Sequence, residues 1–247
     1  MSRKILFAGE SWMSYTTHVK GFDSFTTSVY QEGATKLIEG LRKDGFDVEY
    51  IPNHVANVQI PSTIEGLAAY DAVVLSDIGS NTLLLPDCTF IGGKTYPNRC
   101  ELLKQYVLDG GGLLMIGGYM SFCGIDGKAR YGSTAVGEVL PVTCFDVDDR
   151  RENCQGVSGK IVKDHAIFDG MSGKWPTILG YNKTLKKDGC EILAEVEGDP
   201  LIAIGEFGKG KSAVYTSDCS PHWGTQEFMD WAHYSALWKN ILEYIAR

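Results

Sequence analysis

Short apolar runs recur through the first half of the chain, each closed by a glycine, a proline or a small polar residue. Lys4 to Ala8 before Gly9, Val48 to Ile51 before Pro52, Ala72 to Leu75 and Leu113 to Ile116 are of this kind. Continuous runs this short, bounded by turn residues, predict strands buried on both faces, as in a parallel sheet. Between them the apolar period lengthens. From about Thr27, Val29, Leu37, Ile38 and Leu41 form a helical stripe that Gly45 stops. Ser62 with Glu65 makes a capping box for a short helix. Leu102, Leu103, Tyr106 and Val107 share one face of a helix over 98–108. Strand and helix in alternation predict right-handed crossovers.

The pattern changes in the second half. Runs over 191–196, 201–207 and 212–216 are separated by Gly198-Asp199-Pro200 and Gly208-Lys209-Gly210, which are hairpin spacings. This part is expected to be antiparallel. Phe228 to Ile245 reads as one long helix, apolar around most of its circumference. Such a helix is buried in the fold, or partly in a subunit contact that would make the protein a homo-oligomer. Residues 79–97 show little pattern, and long connections of this kind commonly cover a site. The fold class predicted is α/β: a mainly parallel central sheet flanked by helices, with an antiparallel extension, in a single domain over 1–247.

Charge and cysteine usage narrow the partners. The net charge of −8 and the lack of any Lys/Arg cluster longer than two residues argue against nucleic acid. The apolar runs are too short for a bilayer, and no signal peptide follows Met1. The seven cysteines are odd in number and form no Cys-x-x-Cys pair, so free thiols in a reducing cytoplasm are expected.

Ligands of an open parallel sheet bind beyond the carboxyl ends of its strands. Four ends here are polar. Glu10, Ser11 and His18 follow the first strand, with Lys20 beside His18; Asp77 and Asn81 follow the third. Gly117, Gly118 and Tyr119 follow the fourth, and Asp218, His222 and Trp223 the last. His222 is the candidate base, with Asp218 or Glu10 as its partner, because imidazole moves protons near neutral pH. Gly118 and Tyr119 could offer backbone N–H groups to a developing anion. Ser11, His18, Asp77, Asn81, Gly117 and Trp223 complete the expected ligand-binding set for a small polar molecule. No metal-ligand spacing is present; Glu10, His18, Asp218 and His222 would have to converge through the fold. Neither a metal nor a cofactor is expected.

Gly112-Gly-Leu-Leu-Met-Ile-Gly-Gly118, Asp71-Ala-Val-Val-Leu-Ser-Asp77, Thr216-Ser-Asp-Cys-Ser-Pro-His-Trp223 and the segment Gly198 to Gly210 together resemble the class I glutamine amidotransferase-like superfamily. They are most similar to its "putative glutamine amidotransferase" branch. The resemblance implies a flavodoxin-like sheet. It also implies a cysteine on the sharp turn after a central strand, with a histidine and a glutamate near the C-terminus. This chain has Gly117-Gly118-Tyr119 on that turn, so the usual triad does not carry over. Cys123 and Cys219 are the thiols that could stand in as displaced nucleophiles. The reading is a hydrolase or transferase site without the usual cysteine; its alternative is a ligand-binding or assembly protein on the same scaffold.

Overall fold

The computed structural model describes residues 2–247. The chain opens with β1 (Lys4–Gly9), β2 (Ser11–Lys20), β3 (Asp23–Glu32), α1 (Thr35–Lys43), β4 (Asp47–Ile51), α2 (Asn53–Gln59) and α3 (Ile64–Leu67). It continues through β5 (Ala72–Ser76), α4 (Ser80–Leu84), α5 (Asp87–Phe90), α6 (Arg99–Leu108), β6 (Gly112–Ile116), α7 (Ala135–Glu138), β7 (Val142–Cys144), β8 (Arg150–Ser158) and β9 (Lys160–Ile161). The last elements are β10 (Thr177–Asn182), β11 (Thr184–Lys186), β12 (Glu191–Val196), β13 (Asp199–Phe207), β14 (Gly210–Tyr215), α8 (Gln226–Met229) and α9 (Tyr234–Ile245).

Eight strands form the central sheet in the order β4-β1-β5-β6-β14-β13-β12-β9. The first five are mutually parallel, and β14 to β9 run antiparallel, as the hairpin spacings predict. Side chains alternate across the sheet. Ile5 and Phe7 enter one core with Leu37, Ile38 and Leu41 of α1 and Leu237, Trp238, Ile241 and Leu242 of α9. Leu6 and Ala8 enter the other with Ala56 of α2, Leu67 of α3 and Leu103 and Val107 of α6. Covering both faces is what makes the parallel strands continuously apolar.

Four local expectations change. The helical stripe from Thr27 is not a helix at its start. Residues 11–32 form an antiparallel hairpin, Val29 is an exposed strand residue in it, and α1 begins at Thr35. The cap of α3 is Thr63, whose Oγ1 accepts from the Gly66 amide at 3.1 Å, rather than Ser62. The segment 79–97 contains α4 and α5. The C-terminal helix is two helices, broken between Met229 and Tyr234; most of its apolar residues go to the core, with Trp231 and Tyr244 partly buried. No described helix is long and apolar enough to cross a membrane.

Candidate functional site

The parallel strands β1, β5, β6 and β14 deliver their carboxyl ends to one rim. β1 ends at Gly9, where an added Cβ would lie 1.8 Å from the Ser76 carbonyl oxygen, so only glycine lets the two strand ends approach. Glu10 follows with φ +52°. Its amide donates to Ser76 O at 2.7 Å, and its own carbonyl accepts from Gly33 N at 2.9 Å. The carboxyl group is fully buried, and the hydroxyls of Ser76 and Ser220 donate to its two oxygens at 2.6 Å each.

Asp218, Cys219 and Ser220 arrive just beyond β14. The Ser220 amide donates to Asp218 Oδ1 at 3.0 Å. Ligand atoms of Glu10, Asp218 and Cys219 all lie within 4.8 Å of one another, the one such group of three among the described residues. Asp77, with φ +44°, follows the last residue of β5. Its Oδ1 accepts from the Met120 amide at 2.6 Å, and Ser121 Oγ receives its amide at 3.1 Å.

Burial dominates the acid–base chemistry. It raises Glu10 well above the ordinary glutamate value, with repulsion from Asp218 and then Asp77 adding to it and the two serines opposing. Asp218 is raised well above its usual range by burial and then by Asp77. Burial raises Asp77 too, against the Met120 amide and His222. A low-dielectric cluster of this kind favours neutral acids over carboxylates. Cys219 is pushed up by burial and by Glu10 and Asp218, and Cys123 by burial and then Asp149. Nucleophilic cysteines sit in electropositive surroundings that favour the thiolate; both of these sit in the opposite setting.

His222 connects the buried acids to solvent. Its side chain is 44% exposed and its Nδ1 lies 3.8 Å from Asp218 Oδ2, against 1% exposure for Asp218. That separation is an ion-pair distance and too long for a hydrogen bond. Its backbone has φ +117°. Trp12 and Tyr119 flank the imidazole with ring centroids 4.9 and 5.9 Å away. Trp223 packs on Tyr119 at 5.5 Å and donates its indole N–H to Glu152 at 2.9 Å.

The turn after β6 has no room for a nucleophile. A Cβ at Gly117 would lie 2.1 Å from Thr216 O, and one at Gly118 (φ +151°) would lie 2.7 Å from Asp77 Oδ1. The Asp77 side chain therefore fills the space that a residue on this turn would need. The Gly118 amide donates to Asn182 Oδ1 at 2.9 Å. Asn182 in turn donates to Asp149 at 2.8 Å, and Asp149 accepts the Cys123 and Gly124 amides. The Gly118 N–H expected to face an anion is thus already used.

Of the residues singled out from the sequence, Glu10, Asp77, Gly117, Gly118, Tyr119, Asp218, His222 and Trp223 come together at this rim. Ser11 is buried beside it, its hydroxyl accepting the Asn53 amide at 2.8 Å and so anchoring the start of α2. Two residues are elsewhere. His18 lies along the hairpin, stacked on Phe25 at 4.7 Å and facing Thr27, because residues 11–32 pair with each other and leave the sheet. It is therefore unavailable to the metal set considered above. Asn81 sits on α4 in a separate hollow of about 350 Å³ shared with Asn53, His54 and Thr82. The residues missed are Asn182 and Asp149. They come from loop-like sequence in the second half, and nothing in their spacing signals a connection to Gly118.

Comparison with known proteins bears on this geometry. The family model GATase1_like, described as "Putative glutamine amidotransferase", matches residues 4–247. The cytoplasmic protein STM3548 from Salmonella typhimurium is 50% identical, covers 98% of this chain and 99% of its own, and superposes with a TM-score of 0.95. The cytoplasmic protein STM1381 from Salmonella typhimurium LT2 is also 50% identical, with 99% and 100% covered and a TM-score of 0.95. A "Putative thua-like protein" from Parabacteroides merdae, 12% identical over 99% of this chain and 90% of its own, shares the fold at a TM-score of 0.59. Comparison with curated proteins finds no match.

Proposed function

The chain belongs to the GATase1_like family of glutamine amidotransferase-like proteins, and from that premise we propose a hydrolase or transferase site that works without a cysteine thioester. A small polar molecule binds at the carboxyl edge of the sheet. His222 moves a proton between it and solvent, with Asp218 behind the imidazole and Glu10 behind Asp218. The observation that carries this reading is the continuity from an exposed imidazole to buried acids whose protonated forms are favoured. Buried carboxyls whose protonated forms are favoured can donate a proton, and an imidazole is the side chain suited to relay it. The cytoplasmic setting of the Salmonella relatives agrees with seven free thiols in this chain.

One observation favours the second reading, a ligand-binding protein without turnover: the Gly118 amide is committed to Asn182, which leaves an anion hole on this turn incomplete. L-Glutamine and a thiol-reactive glutamine analogue test the proposal. Wild-type protein is expected to release no ammonia from glutamine and to carry no label on Cys123 or Cys219. Ammonia release together with a labelled cysteine would overturn it. A panel of small amides, amines and alcohols, followed by calorimetry, separates the two readings. A compound turned over by wild type and not by His222→Ala supports catalysis, whereas one bound equally by both proteins and unchanged supports the binding scaffold.

A further inference from the structure

Beside the rim, α2, α4 and α5 enclose the hollow of about 350 Å³ in which Asn81 lies. That size falls at the lower end of the ~300–1,000 Å³ of small-molecule sites. The walls are held together from behind. Fully buried Arg99 donates to the carbonyls of Ala56, Asn57 and Ile60 on the α2 side and of Leu83 in α4, at 2.7 to 3.3 Å. Pro86 separates α4 from α5, and Phe90 of α5 lines the hollow while 75% exposed.

The lining is neutral in a chain that is 22% charged. Its polar groups are Asn53, His54, Asn57, Asn81 and Thr82, none of them permanently charged. Two of the amides are oriented. Asn53 Nδ2 donates to Ser11 O at 2.6 Å and to Asp77 O at 3.0 Å, which uses both of its N–H groups. Both partners are carbonyl oxygens, so the end of the amide left over is its oxygen. Asn57 Nδ2 donates to Asp87 Oδ1 at 2.9 Å, and a carboxylate partner fixes that amide in the same sense. Among the described residues neither amide oxygen has a hydrogen-bond partner, and neither has the Asn81 amide group or the Thr82 hydroxyl.

Fixed acceptors select donors. An anion brings only acceptors and would meet two carbonyl oxygens. A cation brings donors, but no carboxylate lines the hollow to balance its charge; Asp87, already engaged by Asn57, is outside the lining. A neutral molecule with several hydroxyls satisfies both conditions. Each hydroxyl can donate to an amide oxygen and accept from the Asn81 N–H or the Thr82 hydroxyl. Phe90 and Leu85 add apolar area for the C–H face of a ring. We propose that this hollow binds a neutral sugar ring, its hydroxyls paired with Asn53, Asn57, Asn81 and Thr82 and its C–H face against Phe90. Binding there needs no group of the rim, so it is independent of the proposed chemistry.

NMR titration of the isotope-labelled full chain with the methyl glycosides of glucose, galactose and mannose tests it. Concentrations up to about 50 mM cover millimolar dissociation constants. At least one of the three is expected to shift the side-chain amide signals of Asn57 and Asn81 saturably. Asn81→Ala combined with Thr82→Val removes two polar partners and is expected to raise the dissociation constant about tenfold or more. Neither side chain bonds to the protein, so the unfolding midpoint should not fall. Phe90→Ala, at an exposed position, should weaken binding as well. The methyl glycosides of glucuronate and glucosamine, which put a carboxylate or an ammonium on the same ring, should bind more weakly than the neutral sugar. The His222→Ala protein should titrate as wild type does, whatever becomes of the rim chemistry. No saturable shift with any of the three glycosides overturns the proposal, as does equal binding of the charged analogues. A titration that the double variant leaves unchanged, or that His222→Ala abolishes, would overturn it too.

Discussion

Replacing Glu10 by Gln tests whether the buried carboxyl is held as the neutral acid. Burial, Asp218 and Asp77 raise Glu10 well above 4.5, against the two serine hydroxyls. The folded protein therefore keeps a proton there in a pH window where the unfolded chain has already lost it. In that window the unfolding free energy falls with rising pH by about 1.4 kcal/mol per pH unit for one group. A carboxyl raised by folding thus favours the folded state most below its unfolded value, and that contribution is lost as pH climbs. Glutamine has the same shape and no proton to lose. Its cost is local: Ser76 and Ser220 each donate to a carboxyl oxygen at 2.6 Å, and the amide NH2 cannot accept as the hydroxyl oxygen of the neutral acid can. One serine must turn, at about 1 kcal/mol for the hydrogen bond disturbed. The variant is expected to be about 1 kcal/mol less stable at pH 4, where both side chains are neutral. It then gains on wild type by about 1.4 kcal/mol per pH unit, so the two curves cross within about one unit above the ordinary glutamate value and the variant is the more stable at pH 7. Urea unfolding of both proteins at pH intervals from about 4 to 8 reads this directly, with a shared m-value as the check on two-state behaviour. A stability difference that stays constant across the range would refute the reasoning.

Further outcomes follow from single contacts. Asn182→Ala leaves the Gly118 amide without its acceptor and removes one of the three donors to Asp149, so stability should fall by about 1–3 kcal/mol and the Gly118 amide should exchange faster by NMR. Arg99 is fully buried and donates to the carbonyls of Leu83, Ala56, Ile60 and Asn57. Arg99→Met should cost about 3 kcal/mol or more in urea unfolding, because those carbonyls lose their shared donor. Gly118→Ala drives a methyl to 2.7 Å from Asp77 Oδ1, and its melting temperature should drop by the equivalent of about 1–3 kcal/mol. A thiol reagent should modify exposed Cys154 first and reach buried Cys100 and Cys219 only on unfolding.

The parts of the fold that sequence made legible are those with a strong period. β1, β5 and β6 are apolar on both faces because helices cover both, and the shortness of these runs between turn residues sets them apart from buried helix. Asn98 starts α6 where its side chain accepts the Cys100 and Glu101 amides, a cap that its residue type announces. The hairpin over 11–32 was illegible for the converse reason. Its strands alternate serine and threonine with scattered apolar groups and face no core, so Val29 joins the stripe of Leu37, Ile38 and Leu41 by spacing alone. The break before Tyr234 is hidden because Phe228, Tyr234 and Trp238 pack into one core, and apolar spacing cannot show that the backbone has turned between them.

The site shows a deeper limit, because its distinguishing feature is backbone shape. Glu10, Asp77 and His222 all have positive φ, at +52°, +44° and +117°. For residues other than glycine this costs on the order of 1–3 kcal/mol each, and it persists only where neighbours over-determine the conformation. Here they do. Ser76 O and Gly33 N hold the Glu10 backbone, and Ser121 Oγ and Asn53 Nδ2 hold that of Asp77. Those bonds run through main-chain atoms and ask nothing of the side chains. Glycine would make the same bonds at less strain, and asparagine would avoid burying an acid. Fold stability alone therefore does not account for glutamate and aspartate at the ends of β1 and β5. Acids in these positions cost stability twice, once in backbone strain and once in burial. The chemistry proposed at the rim, where both neighbour Asp218 and where His222 opens to water, is the physical use that such a cost points to.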